Sequence, residues 1–309
     1  MSKNLRTFVV VNPTSGSGAT AHRWDRIART LRHAVGPFEH AFTEGPQHAT
    51  ALTRKALESG FEMVVAVGGD GTLSEVASGF FDGRRPRAPS AILGTVPQGT
   101  GCDLPRTMGI ASTIDDACAR LSGRSFRTID VGNVRFIGPD GRFAERVFVN
   151  VASFGCGGAV ACAVAGVTRR LGRKLFFMLT TARALLRYRD QTVTVSVDDN
   201  AGEEMTITNY AVCNAQYFGA GMWVAPYARL DDGRFDVTIW TGYGLKDFIL
   251  KQRSIYDGAH VRDPGTRTLQ AKKVVATSKE LVLLDLDGEC AGHLPATIEI
   301  LPEALRFKV

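Results

Sequence analysis

The residues best placed to do chemistry fall in three glycine-rich stretches and two acidic turns. Val67-Gly68-Gly69-Asp70-Gly71-Thr72-Leu73-Ser74-Glu75 follows an apolar run and opens a helical pattern. Glycines let the backbone turn sharply and approach a ligand, and the free N–H groups at a helix start favour an anion. A carboxylate at Asp70 repels phosphate directly, so it implies Mg2+ between the two. Taken alone, the segment also fits a plain strand-to-helix turn capped by Asp70 or Thr72. Two further loops weigh against that: Val11-Asn12-Pro13-Thr14-Ser15-Gly16-Ser17-Gly18 and Gly94-Thr95-Val96-Pro97-Gln98-Gly99-Thr100-Gly101-Cys102-Asp103. Downstream, Asp287-Gly288-Glu289 carries two carboxylates and by itself reads as a hairpin turn. The acidic turn at Asp231-Asp232-Gly233 reads by itself as a β-turn.

These loops need elements to hold them. Phe8–Val11, Phe38–Thr43, Met63–Val67 and Ala91–Val96 read as short apolar strands. Between them Trp24, Ile27, Ala28, Leu31 and Val35 form one helical face. So do Ala49, Leu52, Ala56 and Leu57, and then Leu73, Val76, Ala77, Phe80 and Phe81. Alternation of this kind predicts parallel βαβ units, and an open parallel sheet binds ligands at the carboxyl ends of its strands. All three glycine loops sit at such ends, so they are expected to converge on one nucleotide crevice. No G-x-x-x-x-G-K-[ST] sequence occurs, which excludes a P-loop enzyme. From about Thr128 the rhythm changes to Ile129–Ile137, Arg146–Ser153, Thr192–Val197, Met205–Asn214, Phe235–Thr241, Thr268–Thr277 and Leu281–Asp287. Gly and Asp turns separate these runs, an antiparallel sandwich pattern. Helices are expected at Arg173–Tyr188 and, more weakly, at Leu245–Tyr256. The expected fold is therefore α/β: an N-terminal parallel-sheet nucleotide-binding domain over 1–128, then a C-terminal antiparallel β-sandwich domain over 129–304.

Composition narrows the classes. The 309 residues are 44% hydrophobic and 22% charged, as in a globular protein with little disorder. A net charge of +6 suits nucleic acid, an anionic membrane, a phosphorylated ligand or mere solubility, without choosing among them. Cys102, Cys118, Cys156, Cys162, Cys213 and Cys290 form no C-x-x-C pair and no zinc spacing, so they read as reduced thiols of a cytosolic protein. No secretory signal is evident at the N-terminus. Val147 to Thr168 is uncharged and long enough to span a membrane, but Asn150, Ser153 and four glycines favour a strand, a turn and a helix. The Arg173 helix bears Leu175, Phe176, Leu179, Ala182, Leu185 and Leu186 amid Arg169, Arg170, Arg173, Lys174, Arg183, Arg187 and Arg189. Packing on the sandwich is the simpler reading, and an anionic membrane surface the alternative.

The set N-P-x-S-G, G-G-D-G-T-x-x-E, G-x-x-P-x-G-T-x-x-D and the late D-G-E resembles the catalytic family of diacylglycerol, sphingosine and ceramide kinases and bacterial lipid kinases. The match runs in order over nearly the whole chain. The resemblance implies an ATP-dependent lipid kinase that phosphorylates a hydroxyl of a lipid such as diacylglycerol or a sphingoid base. ATP would contact Asn12, Pro13, Thr14, Ser15, Gly16, Thr43, Gly69, Asp70, Gly71, Thr72, Leu73, Ser74, Glu75 and Thr100. Glu289 or Asp287 would be the general base, with Glu289 preferred, and Asp103 would serve the acceptor. Bacterial members suggest structural Mg2+ on the carbonyls of Arg229 and Arg234 and the carboxylate of Asp232. Residues 305–309 would return to the first domain. The lipid would come from the membrane surface, by peripheral contact from a cytoplasmic enzyme, with no nucleic-acid partner and with a homodimer open to it. Two departures stand out: Cys102 and Ser74 each replace a usual asparagine. An NAD kinase-like enzyme, or a lipid- or nucleotide-binding protein without transfer activity, are the rival readings.

Overall fold

The computed structural model describes residues 5–165, 182–184 and 186–309. Strands β1 (Thr7–Val11), β2 (Phe38–Phe42) and β3 (Met63–Gly68) alternate with helices α1 (Ala19–Val35), α2 (His48–Glu58) and α3 (Asp70–Gly79). A small hairpin, β4 (Phe81–Asp82) and β5 (Arg85–Pro86), precedes β6 (Ile92–Pro97), α4 (Asp103–Thr107) and α5 (Ile114–Arg120). The second half holds β7 (Arg127–Ile137), β8 (Phe143–Phe148), β9 (Val151–Gly155), α6 (Cys156–Ala165), β10 (Gln191–Val197), β11 (Glu203–Ile207) and β12 (Asn209–Cys213). It continues with β13 (Phe235–Trp240), β14 (Thr266–Ala271), β15 (Lys273–Thr277), β16 (Leu283–Leu286) and β17 (Glu289–Phe307).

β6, β3, β1 and β2 pair in parallel in that order, with every residue of β3 and β6 buried. Burial on both faces explains why these two runs are so uniformly apolar. The second half is antiparallel, and Phe136, Phe148, Phe154, Tyr210 and Phe235 fill a core of their own. The mixed α/β architecture thus matches expectation, parallel strands first and antiparallel strands after.

β17 joins the two halves into one 15-stranded hydrogen-bonded sheet among the described residues. Its start pairs with β16, its middle with β15 and β7, and Arg306 and Phe307 lie parallel to Ile92 and Leu93 of β6. Leu305 and Phe307 therefore pack in the core of the parallel half. Lys308, 1% exposed, donates from Nζ to the carbonyls of Gly123 and Ser125 at 2.9 Å each. That pins the segment leading into β7.

Several boundaries differ from the sequence expectation. The run expected over Arg146–Ser153 is two strands, because the N–H groups of Val149, Asn150 and Val151 turn together onto the Asp287 carboxylate. The expected thiols Cys162 and Cys290 instead form a disulfide between α6 and β17; residues 128 apart gave no local signal of it. Cys102, Cys118, Cys156 and Cys213 are free. Of the helix expected over Arg173–Tyr188, residues 182–184 and 186–187 are helical, and Arg169, Arg170, Arg173 and Lys174 lie outside the described residues. No helix among the described residues is long and apolar enough to cross a membrane.

Candidate active site

The three glycine loops do converge. Asn12 follows β1 and donates from Nδ2 to the hydroxyl of Thr72 at 2.9 Å, while its Oδ1 accepts from the amide and hydroxyl of Thr14. Gly16 has φ 59°, and a Cβ there would lie 2.7 Å from the carbonyl oxygen of Gln98, so the first and third loops touch. Gly69 and Gly99 press backbone to backbone: a Cβ on Gly99 would sit 2.5 Å from the Gly69 Cα. Only glycine allows that approach. Helix α3 starts at Asp70 with no side chain capping its first amides. Those N–H groups keep their partial positive charge for an incoming anion.

Asp70 is the clasp of this crevice. Its Oδ2 accepts from the Cys102 amide at 2.8 Å and its Oδ1 from the Asp103 amide at 2.7 Å. Cys102 sits at φ 52°, the left-handed conformation that asparagine adopts more readily than most side chains. Its thiol bonds the Gly99 carbonyl, and burial pushes it up to about 11, so it stays protonated. Asp103 is buried; its Oδ2 accepts from the Ala220 amide at 3.1 Å and its Oδ1 has no partner. Burial first, and then the Asp70 charge, raise Asp103 to about 6.

The other expected nucleotide residues take distinct places. Ser15 is buried, bonded to the Asn12 carbonyl and the Thr20 hydroxyl. The Thr43 amide donates to Val11, Thr100 is exposed on the third loop, and Gly71 is exposed at the start of α3. Leu73 is core, 3% exposed, with its amide spent on Gly69. Glu75 accepts from the Ala49 amide at 3.1 Å and so caps α2 rather than projecting freely. Burial, its main perturbation, raises the Glu75 carboxyl above its usual range.

The acidic hairpin meets this crevice from the other half. Asp287 and Gly288, at φ 51° and 87°, form the two-residue turn between β16 and β17. Such turns require positive φ at both positions, which Asp-Gly supplies. Asp287 takes four donors: Ser74 Oγ at 2.8 Å and Val149 N at 3.1 Å on Oδ2, Asn150 N at 2.9 Å and Val151 N at 3.0 Å on Oδ1. It fastens α3 to the second half. Glu289 instead pairs with Arg146 at 2.8 Å and keeps about a third of its side chain in solvent. Glu75 feels the charges of both Glu289 and Arg146 across the junction.

The turn at 229–234 lies elsewhere. Asp232 Oδ1 accepts from the Arg234 amide at 3.1 Å, and Asp231 pairs with Arg127 at 2.7 Å and Arg229 at 3.4 Å. Asp130 on β7 accepts from Gly233 and Glu303 amides at 2.7 Å each. Among the described residues no three His, Cys, Asp or Glu side chains gather as a metal cage. The reading of the sequence missed Ser153, Arg146 and Asp130, which lie inside strands with no motif to mark them.

A phosphate-ready crevice facing an acidic hairpin across two packed halves defines a nucleotide-dependent phosphotransferase. Residues 6–134 match the diacylglycerol kinase catalytic domain, and residues 150–309 the YegS C-terminal NAD kinase beta sandwich-like domain. The chain is 29% identical over 300 residues to a diacylglycerol kinase of Bacillus subtilis (strain 168), covering 94% of this chain and 91% of that one. It is 26% identical to a diacylglycerol kinase of Staphylococcus carnosus (strain TM300), over 94% and 90% of the two chains. In fold it resembles a diacylglycerol kinase from Bacillus anthracis str. Sterne (TM-score 0.73, 19% identity, 100% and 98% covered). An NAD kinase from Archaeoglobus fulgidus in complex with ATP is more distant (TM-score 0.52, 14% identity, 98% and 93% covered). The chain belongs to the diacylglycerol kinase catalytic family. It is an ATP-dependent lipid kinase, a phosphotransferase with an alcohol group as acceptor.

Proposed function

We propose that the chain phosphorylates the free hydroxyl of a diacylglycerol, taken from a membrane surface, with Glu289 as the general base. The observation that carries the assignment is the division of labour in the hairpin. Asp287 has its oxygens filled by four donors, whereas Glu289 faces the junction with an oxygen left for a substrate proton. Arg146 holds Glu289 in place, its guanidinium 2.8 Å from one carboxylate oxygen. The Asn12–Gly16 loop, the first turn of α3 from Gly69 to Thr72, and Thr100 would cradle the ATP phosphates on backbone amides and hydroxyls.

Mg2+ suits the residues present at the crevice. Asp103 keeps one buried carboxylate oxygen without a partner beside Asp70, the kind of vacancy a cation satisfies. Asp70 and Asp103 would hold it, and it would supply charge neutralisation for the phosphates. The 229–234 turn offers a second, structural position on the carbonyls of Arg229 and Arg234 and the carboxylate of Asp232. The crowding of Asp130 by Asp231 and Asp232 supports a cation there.

The test is transfer of label from radiolabelled ATP to diacylglycerol, sphingoid bases, ceramide, phosphatidylglycerol and NAD presented side by side. Diacylglycerol should be the best acceptor by kcat/KM. Preferential labelling of any other acceptor would reassign the substrate.

A further inference from the structure

Three carboxyl groups share the hairpin that carries Glu289, and their surroundings differ sharply. Asp287 has four donors and Glu289 has Arg146. Asp285, on β16, is 3% exposed among the apolar core residues Leu284 and Leu286. Ser153 Oγ on β9 donates to its Oδ2 at 3.1 Å, and its Oδ1 is buried with no hydrogen-bond partner.

The Ser153 hydroxyl and the Gly288 amide, which favour the ionised form, are neutral donors; a carboxylate held only by such donors in an apolar core is too costly to persist, and the group keeps its proton instead. Among the described residues that act on Asp285, none is a cation. The hairpin presents the carboxyl groups of Asp287 and Glu289. β9 presents the Ser153 hydroxyl, and β17 presents Cys290 directly opposite in register, already bonded to Cys162. α6 carries no charged side chain. Burial, and then the two neighbouring carboxylates, push Asp285 up to about 8.

We propose that Asp285 is a positioning residue for the base: a neutral carboxylic acid, anchored to Ser153, that fixes the root of the Glu289 hairpin without adding a third negative charge. The inference rests on Glu289 being the base. Were Asp285 ionised, it would add a like charge beside Asp287 and Glu289, and the hairpin would loosen where Glu289 must be held still. The carboxyl amide of asparagine reproduces the neutral acid in shape and hydrogen bonding, whereas alanine removes the anchor.

The sign of the pH dependence follows. An unfolded aspartate ionises near 4, and the folded one holds its proton to about 8. The unfolded state thus sheds a proton that the folded state keeps, so Asp285 lowers stability progressively from about pH 4 to 8, then no further. The experiment compares wild type, Asp285→Asn and Asp285→Ala in full-length enzyme by thermal melting and by kcat from pH 5 to 9. Asp285→Asn should melt above wild type by a margin that widens with pH, and should lack the wild-type fall in kcat above pH 8. Asp285→Ala should lower kcat by roughly tenfold to a hundredfold, the scale of a misplaced catalytic group, with ATP binding by calorimetry unchanged. A margin that does not vary with pH, or an alkaline limb kept by Asp285→Asn, overturns the proposal. Normal turnover in Glu289→Gln removes the base and the positioning role with it, while the melting margin still reports whether Asp285 is protonated.

Discussion

At the scale of single residues, the two acids of the hairpin should separate under mutation. Glu289→Gln should fold like wild type, bind ATP normally and lose about a hundredfold or more in kcat, the scale of a lost general base. Asp287→Asn should lose turnover and stability together. Its single remaining acceptor oxygen leaves donors among Ser74, Val149, Asn150 and Val151 facing an NH2 group, about 1–3 kcal/mol for each one stranded. Calorimetric ATP titration beside denaturant melts distinguishes the two patterns; equal melting of both variants would count against it. Cys102 can be judged by its backbone alone. At φ 52° an asparagine is tolerated and a β-branched side chain is not. Cys102→Asn should leave stability unchanged or improved, while Cys102→Val should cost about 1–2 kcal/mol. Equal melting midpoints for the two would show that the loop relaxes.

At the scale of elements, the parallel half was legible because each strand is a buried apolar run and each helix carries a period of 3.6. The loops at the strand ends could be placed from their glycines alone. β17 was not legible. Its 19 residues include Pro295 and Pro302, and its inward face changes partner from β16 to β15, β7 and finally β6. Three register shifts break its alternation, so no single period of two runs through it. The split of the expected Arg146–Ser153 strand depends on an aspartate more than a hundred positions away, which no local pattern encodes. Phe307 tests the return of β17 to the first half: it is fully buried against β6. Phe307→Ala should destabilise by about 3–5 kcal/mol, as for other buried aromatics. A loss below 1 kcal/mol in urea denaturation would mean that the strand end frays without consequence.

At the scale of the whole molecule, a net charge of +6 should draw the enzyme to anionic vesicles more than to neutral ones. Sedimentation with phosphatidylglycerol vesicles should fall as salt rises, since exposed charges are screened within about 10 Å at 0.1 M. Sedimentation indifferent to salt would leave charge out of the encounter. The continuous ladder through β17 has a mechanical consequence as well. β1 enters the sheet at its amino end, and β17 runs in the same direction beside β6, so the start of β1 and the end of β17 lie at opposite ends of one parallel set. A tether pulling on both termini therefore loads the ladders along the strands, shearing many hydrogen bonds at once instead of peeling them singly. The fold is built to resist tension along that axis, and stretching it between its ends should yield one high rupture force.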